Sequence, residues 1–473
     1  MITGEWQRGE AAVIGLGRSG TAAAMLLRHH GLAVYASDAG TGETAERNAT
    51  LVRAAGAEAQ TGGHDLDRIA RAGVVIVSPG VPGDAAPLAR ARAAGVAIVS
   101  EMDLALSTMP DLRYVAITGT NGKTTTTALV AHLLRALGYD AVAAGNIGTP
   151  LSDVALRSAR PEWVALEVSS FQLHDTPAIN PTVGVVTNLS PDHLDRYPDV
   201  DAYYADKALL FQNANARSRW VLNGDEQEVL DLYRRLPAEL APADGELAGD
   251  CYRFMLKAAG GAGCYDSGNE MLHAMGTPLL PRGEFALLGD HNVANALAAA
   301  VAVLVADPAH AEPAARERIA QGLRSFAGLP HRLEVVGEVD GVQWINDSKA
   351  TNVSSTRVAL LGMTRPTVVL LGGRHKGEPY TSLLDPLRAV ARLVIAYGES
   401  APTIERDLAS GVKLERMPAG MTFEQVLDRA REAAQPGDAV LLSPACSSYD
   451  MFANYEERGA VFRQIATGVA PDA

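Results

Sequence analysis

The sequence predicts an α/β protein of three domains, and three observations carry that reading. Short apolar strands alternate with helical stretches along most of the chain, the pattern of parallel sheets. The length, 473 residues, corresponds to about three domains. The alternation also breaks twice, at the polar, proline-containing turn 107–113 and after Ala327-Gly328-Leu329-Pro330, giving domains 1–108, 109–328 and 329–473.

Composition narrows the function classes. Apolar residues make up 47% and charged residues 20%, which is ordinary globular usage. The longest apolar run, 296–306, has eleven residues, short of the ~18 that cross a bilayer. The opening MITGEWQRGE lacks the apolar centre of a signal peptide, and Cys251, Cys264 and Cys446 show no pairing or metal-ligand spacing. A reduced, cytoplasmic protein without a membrane segment is expected. The net charge of −14 and the absence of a basic run argue against a nucleic-acid partner. Only six residues are lysine, and four of them (Lys123, Lys207, Lys349 and Lys376) fall in the polar clusters described next. An ammonium is not interchangeable with a guanidinium, so these four merit attention.

In the first domain, strands are expected at 11–15, 32–37, 74–78 and 96–99, with a helix at 21–30. Gly15-Leu16-Gly17-Arg18-Ser19-Gly20 follows the first strand and opens the helix, and Asp38 ends the second strand. Bare amides at a helix N-terminus suit a diphosphate, whether of a dinucleotide or another nucleotide. The same turn also serves simply to pack a helix on a sheet.

The second domain opens with strand 114–118 and the loop Thr118-Gly119-Thr120-Asn121-Gly122-Lys123-Thr124-Thr125, leading into a helix at 126–136. Such a loop cradles phosphates with its amides, while the lysine neutralises their oxygens and the first hydroxyl can ligate Mg²⁺. Ile117 stands where the strict pattern wants glycine, so this is a variant of that loop. Strand 163–167 ends in Glu167, and strand 183–188 runs into Asp192 and His193, at the edge where open α/β sheets bind ligands. His193 by itself reads as a hydrogen-bonded loop residue rather than a ligand, and the company of Lys123 and Glu167 favours a functional role. Lys207, on a helical stretch at 202–211, reads equally as a surface lysine. Residues 237–283 are expected to form small strands and loops, and 293–305 an apolar helix.

In the third domain, strands are expected at 342–346, 367–372, 393–396 and 439–443. Polar loops follow three of them: Asn346–Asn352, Gly372–Gly377 and Ser443–Ser448. Leu329-Pro330-His331-Arg332 places an arginine at the domain junction, within reach of a phosphate. The remaining histidines, His29, His30 and His64 among them, read as surface or helix-end residues.

Taken together, GTNGKTT, ALEVSSFQL, NLSPDHLDRY, GDHNVANALAA, GLPHR, INDSKATN and SPACSSYDMFANYEERG resemble the motifs of the Mur ligase family over essentially the whole chain. That resemblance implies a Rossmann-like N-terminal domain for a UDP-sugar, a central P-loop ATPase-like domain, and a Rossmann-like C-terminal domain for an amino acid. It implies an ATP-dependent ligase that adds D-glutamate to UDP-N-acetylmuramoyl-L-alanine through an acyl phosphate, acting as a cytoplasmic monomer. Carried over by motif, Gly119, Thr120, Asn121, Gly122, Lys123, Thr124 and Thr125 hold the ATP phosphates, with Asn292, Arg332 and Asp347 completing the nucleotide site. Two Mg²⁺ ions are implied at Thr124, Glu167, His193 and Lys207, the last as a carbamylated lysine. Lys123, Glu167, His193, Lys207 and Lys349 form the implied catalytic set. Gly17, Ser19, Asp38, Ser78, Gly80, Asn146, Ser169 and Gln172 match the UDP-sugar side. Thr351, Lys376, Ser448 and Tyr455, with Lys349, match the D-glutamate side.

Departures from the family pattern fall at Ala39, Arg374, His375, Met451 and Tyr455. Three rival readings stand beside this one. A nicotinamide oxidoreductase built on Gly15–Gly20 and Asp38 leaves Lys123, Glu167 and the third domain without a task. A related ligase would add another amino acid or make folylpolyglutamate, and a non-catalytic ATP-binding switch would bind ATP without substrate-dependent ADP release.

Overall fold

The computed structural model describes residues 6, 9–193, 196–257 and 260–468. Most of the opening segment read for a signal peptide, and Leu194 and Asp195 of the NLSPDHLDRY motif, lie outside the described residues. The chain forms two compact units, one of Met1–Glu284 with Ala294–Ser325, the other of Phe285–Val293 with Phe326–Ala473.

The first unit holds two sheets. Five parallel strands, β1 (Ala11–Ile14), β2 (Val34–Asp38), β3 (Glu58–Thr61), β4 (Val74–Val77) and β5 (Ile98–Ser100), are ordered β3-β2-β1-β4-β5. β1 (AAVI) and β4 (VVIV) are buried throughout, as strands covered on both faces require. The chain reverses its direction of travel between them, which opens a crevice beyond their C-terminal ends. The helix Arg18–His29 starts at once after β1, and Gly20 lets it do so: a Cβ there would stand 1.8 Å from the Gly15 carbonyl oxygen.

The second sheet has nine strands: β6 (Tyr114–Thr118), β7 (Ala141–Gly145), β8 (Trp163–Glu167), β9 (Val183–Val186), β10 (Arg219–Asn223), β11 (Asp250–Met255), β12 (Gly263–Asp266), β13 (Met271–Ala274) and β14 (Thr277–Pro281). Their order is β14-β13-β12-β11-β10-β9-β6-β8-β7, with only β12–β13 and β13–β14 antiparallel. β6 therefore lies between β8 and β9, and the three loops leaving their C-terminal ends meet at one edge. The small strands expected within 237–283 are present and extend this same sheet.

The second unit holds a six-stranded sheet, β15 (Glu334–Val339), β16 (Val342–Asn346), β17 (Thr367–Gly372), β18 (Ala391–Tyr397), β19 (Leu414–Arg416) and β20 (Ala439–Leu442). The order is β15-β16-β20-β17-β18-β19, parallel except for the β15–β16 pair. Here β20 sits between β16 and β17, so the polar loops after all three again leave one edge together.

Within the first unit, the helix Glu101–Thr108 joins the two sheets through buried acids. Glu101 accepts from the Ser152 amide, and Asp103 Oδ1 accepts from the Ala178 amide at 2.7 Å. Burial pushes the Glu101 carboxyl up to about 7 and that of Asp103 to about 6. A raised carboxyl means that the fold prefers the protonated form. The Glu101 contribution is fully present below its ordinary value of 4.5 and is lost as pH climbs through about 7. Glu101→Gln mimics the protonated acid, so its melting temperature is expected to exceed the parent's at pH 8 and to converge with it by about pH 5. The upper bound on the difference is about 3 kcal/mol. Melts of both proteins across that range check it; a difference that does not change with pH would refute the linkage.

Candidate active site

The crevice at the end of β1 and β4 contains a cavity of about 570 Å³, within the usual size of a small-ligand pocket. Gly17, Ser19, Asp38, Ser78, Gly80, Asn146 and Gln172 all line it, seven of the residues expected on the UDP-sugar side. Asp38 shapes its rim: Oδ2 accepts from the Leu16 amide at 2.6 Å and Oδ1 from the Gly40 amide at 2.7 Å. Ser169 is not among the lining residues. It caps the helix Ser170–His174 in a reciprocal capping box with Gln172, and so holds the Gln172 side chain in place. His64 corrects the sequence reading. Rather than a surface histidine it is a wall residue of this cavity, its Nδ1 2.8 Å from Ser37 Oγ.

Asn146 ties this cavity to the next centre. It lines the cavity wall, and its Nδ2 donates to Glu167 Oε1 at 2.9 Å. Glu167 is buried at the end of β8, and its Oε2 has no hydrogen-bond partner among the described residues. A buried carboxylate oxygen left unsatisfied is costly unless something occupies it. Magnesium takes hard oxygen ligands, so the donor set fits that ion.

The phosphate loop after β6 is braced by the neighbouring strand end. The Thr120 amide donates to the Asn188 carbonyl at 2.9 Å, the Asn121 amide to Asn188 Oδ1 at 2.8 Å, and Thr187 Oγ1 to the Asn121 carbonyl at 2.6 Å. Gly119 is obligatory here: its φ is +139°, and a Cβ would stand 2.0 Å from Thr187 Oγ1. The helix then starts at Lys123, with Gly122 as its N-cap and Thr124 and Thr125 in its first turn. Its apolar continuation matches expectation, but the helix begins three residues earlier than the sequence periodicity indicated.

Two lysines converge on one carbonyl of this loop. Lys123 Nζ donates to the Gly119 and Thr120 carbonyl oxygens at 2.9 and 2.7 Å, and Lys207 Nζ donates to the same Gly119 oxygen at 2.8 Å. Lys207 is no surface residue: it is 1% exposed, with its Nζ 4.6 Å from the centre of the Tyr203 ring. Burial, reinforced by the Lys123 charge, drives its amine well below the ordinary lysine value, while Asp192, Asp206 and Glu167 act the other way. The five groups thus share one electrostatic centre. His193 stands beside it on a left-handed backbone, φ 55°, with its ring half-exposed and 5.2 Å from that of Phe171.

In the second unit the polar loops after β16, β17 and β20 interlock. Lys376 Nζ donates to Thr351 Oγ1 at 3.2 Å, and Arg374 exchanges backbone hydrogen bonds with Ser447, which brings Ser448 alongside. Lys349 Nζ lies 5.2 Å from the Tyr455 ring centre. Asp347 is buried, bonded by Ser443 Oγ at 2.7 Å and the Leu333 amide, and burial raises its carboxyl to about 7 against the pull of Arg332 and Arg458. Asn292 opens the helix Asp290–Ala306 and donates to the Leu288 carbonyl at 2.8 Å. Reasoning from sequence missed Asn188, Thr187 and Arg458. Thr187 and Asn188 follow β9, and Arg458, on the helix Tyr455–Thr467, bonds the Ser348 and Cys446 carbonyl oxygens; only the folded chain brings each of them to its loop.

Among the described residues, no three or more His, Cys, Asp or Glu are grouped to hold a metal, and no helix is long and apolar enough to cross a membrane. A cation here would depend on few protein ligands, as magnesium beside phosphate does.

Comparison with known proteins adds the lineage. Residues 9–100 match the Mur ligase MurD-like N-terminal domain, 117–303 the Mur ligase middle domain, and 331–446 the Mur ligase glutamate ligase domain. The UDP-N-acetylmuramoylalanine--D-glutamate ligase of Salinibacter ruber is 42% identical, covering 98% of this chain and 99% of its own length. The enzyme of the same name from Anaeromyxobacter dehalogenans is 41% identical, covering 99% of both. In fold, the chain resembles the UDP-N-acetylmuramate-alanine ligase of Thermotoga maritima, with a TM-score of 0.58 at 21% identity, over 98% of this chain and 100% of that one. Three consecutive domain matches and two full-length relatives agree with the three sheets and their loops: the chain belongs to the Mur ligase family.

Proposed function

We propose that the protein joins D-glutamate to UDP-N-acetylmuramoyl-L-alanine with hydrolysis of ATP to ADP and phosphate, in the cytoplasmic synthesis of peptidoglycan precursors. The observation that carries this reading is the bridge through Asn146. One amide belongs both to the wall of a nucleotide-sized cavity and, by a 2.9 Å hydrogen bond, to the carboxylate beside the phosphate loop. A substrate with its UDP end in the cavity would extend its acyl end toward that centre. The names of the two full-length relatives support the same substrates.

In this reading the UDP-sugar domain is 1–108, the ATP domain 109–328 and the amino-acid domain 329–473. The L-alanyl carboxylate attacks the γ-phosphorus of ATP, ADP leaves, and the amine of D-glutamate then displaces phosphate from the acyl phosphate. Lys123 offsets charge on the transferring phosphoryl group, which is the main demand of such chemistry. Thr124, Glu167, His193 and Lys207 would hold Mg²⁺, two ions in all, which supplies further cancellation of oxyanion charge. Asn292, Arg332 and Asp347 complete the nucleotide site. Lys349 serves the phosphate and the amino acid, with Thr351, Lys376, Ser448 and Tyr455 around the latter. One chain carries the whole inventory, in keeping with a monomer.

Phosphate release with ATP, Mg²⁺ and UDP-N-acetylmuramoyl-L-alanine tests the reading, with D-glutamate, L-glutamate or no amino acid added. Release requiring both the UDP-sugar and D-glutamate is expected. Release with a different amino acid would retain the mechanism and change the specificity, and no release under any combination would overturn the reading.

A further inference from the structure

The loop Gly372–Gly377 carries Lys376, yet the two residues before it, Arg374 and His375, have no task in the reaction as derived. Arg374 is spent on a surface ion pair with Glu399 at 3.0 Å. His375 is different. It is half-buried, and its Nδ1 lies 2.9 Å from the hydroxyl of Tyr380, whose ring is wholly buried. That hydroxyl lies 2.9 Å from the Cys446 Sγ, and the thiol lies 3.3 Å from Ser400 Oγ. Nε2 of His375 has no protein partner among the described residues, and the ring stands one residue from Lys376, whose ammonium reaches Thr351 at 3.2 Å.

The direction of the chain follows from what each group can donate. Burial raises the Cys446 thiol, so at neutral pH it keeps its proton and can donate to the Tyr380 oxygen. With the thiol as donor, the Tyr380 O–H is free to donate to His375 Nδ1. A neutral imidazole that accepts at Nδ1 carries its proton on Nε2, because the hydrogen bond at one nitrogen sets the state of the other. We propose that Cys446 and Tyr380 are positioning residues that fix His375 as an Nε2–H donor, and that this donor, beside Lys376, binds a carboxylate of the acidic amino-acid substrate. An amino acid with two carboxylates then meets an ammonium and an imidazole N–H, whereas a neutral amino acid leaves one of them unpaired. Charge-assisted pairing of both carboxylates favours a dicarboxylic amino acid over a neutral one.

This inference rests on reading Lys376, Thr351 and Ser448 as the amino-acid side. The parent enzyme is therefore assayed first, and absence of D-glutamate-dependent phosphate release would remove both together. With that activity present, His375→Ala is expected to raise KM for D-glutamate about tenfold, as loss of a hydrogen bond to a charged group does. Tyr380→Phe, which keeps the buried ring, is expected to raise it about fivefold. The double variant is expected to be no worse than His375→Ala, because both act through one contact. Cys446→Ala is expected to follow Tyr380→Phe, and Cys446→Ser, which retains a donor, to restore the parent value. KM for ATP and kcat at saturating D-glutamate are expected to stay within about twofold of the parent. An unchanged KM for D-glutamate in both single variants would overturn the proposal. So would multiplicative effects in the double variant, or a rise in KM for ATP that parallels the rise for D-glutamate.

Discussion

Lys123→Ala is expected to lower kcat at saturating substrates by about 10³-fold, the cost of removing a cation or donor aimed at a transferring phosphoryl group. The expectation rests on where this ammonium sits. It sits in the first turn of the helix after β6 and bonds the Gly119 and Thr120 carbonyl oxygens, closing the loop on itself. Phosphate oxygens are the stronger acceptors, so nucleotide binding exchanges these neutral bonds for charge-assisted ones. Lys207, though it shares the Gly119 carbonyl, is the poorer cation: burial and the Lys123 charge hold its amine well below the ordinary lysine value. Lys123→Arg is expected to fail nearly as badly, because a planar fork does not fit where a point charge reaches two carbonyls of one turn. Steady-state ADP release measures the loss. Binding of the UDP-sugar alone serves as the control, since the cavity beyond β1 and β4 does not include Lys123. Retention of activity within about tenfold would show that the loop does not carry the phosphoryl transfer.

Much of this site was legible in the sequence, and the reasons are specific. A glycine-rich loop with lysine and threonine at fixed offsets must lie between a strand and a helix, and Tyr114–Thr118 and Lys123–Ala136 are the elements found. Strands of unbroken apolar residues, such as Thr367–Gly372 and Trp163–Glu167, announced themselves because both their faces are covered. β3 did not, since Glu58–Thr61 is a polar edge strand with one half-exposed face. His64 follows that unseen strand, which is why a cavity-wall residue read as surface. β7 is mostly alanine and glycine, poor strand formers that this sheet accepts at an edge. The Cys446–Tyr380–His375 chain joins the segment after β17 to the loop after β20, and no local pattern could reveal it. Lys207 is the sharpest case. Its helix offers no cue that one lysine points inward, and only the meeting of Val200–Ala208 with the phosphate loop shows it.

Lys207→Met is expected to abolish ligation to below about one-hundredth of the parent rate while leaving the melting temperature nearly unchanged. Methionine is the right probe because the side chain is 1% exposed: alanine would open a cavity and confuse a catalytic loss with a packing loss. Burial and the Lys123 charge favour the neutral amine, whose lone pair is a nucleophile, and carbon dioxide is a small electrophile. Attack of the nitrogen lone pair on carbon dioxide gives a carbamate and releases one proton, turning a neutral group into an anion. Such an anion would suit the centre formed with Glu167 and Asp192 only if a divalent cation were bound there, since like charges otherwise oppose it. Protein equilibrated with ¹³C-labelled bicarbonate in the presence of Mg²⁺ and ATP is expected to show one carbamate carbon resonance. That resonance is expected to be missing in Lys207→Met and to fade as the pH is lowered, because protonating the amine removes the nucleophile. Activity is expected to fall on stripping carbon dioxide from the buffer and to return on adding bicarbonate. Full activity in Lys207→Met would remove Lys207 from the mechanism. Full activity of the parent without carbon dioxide, together with loss in the variant, would leave it acting as an unmodified amine.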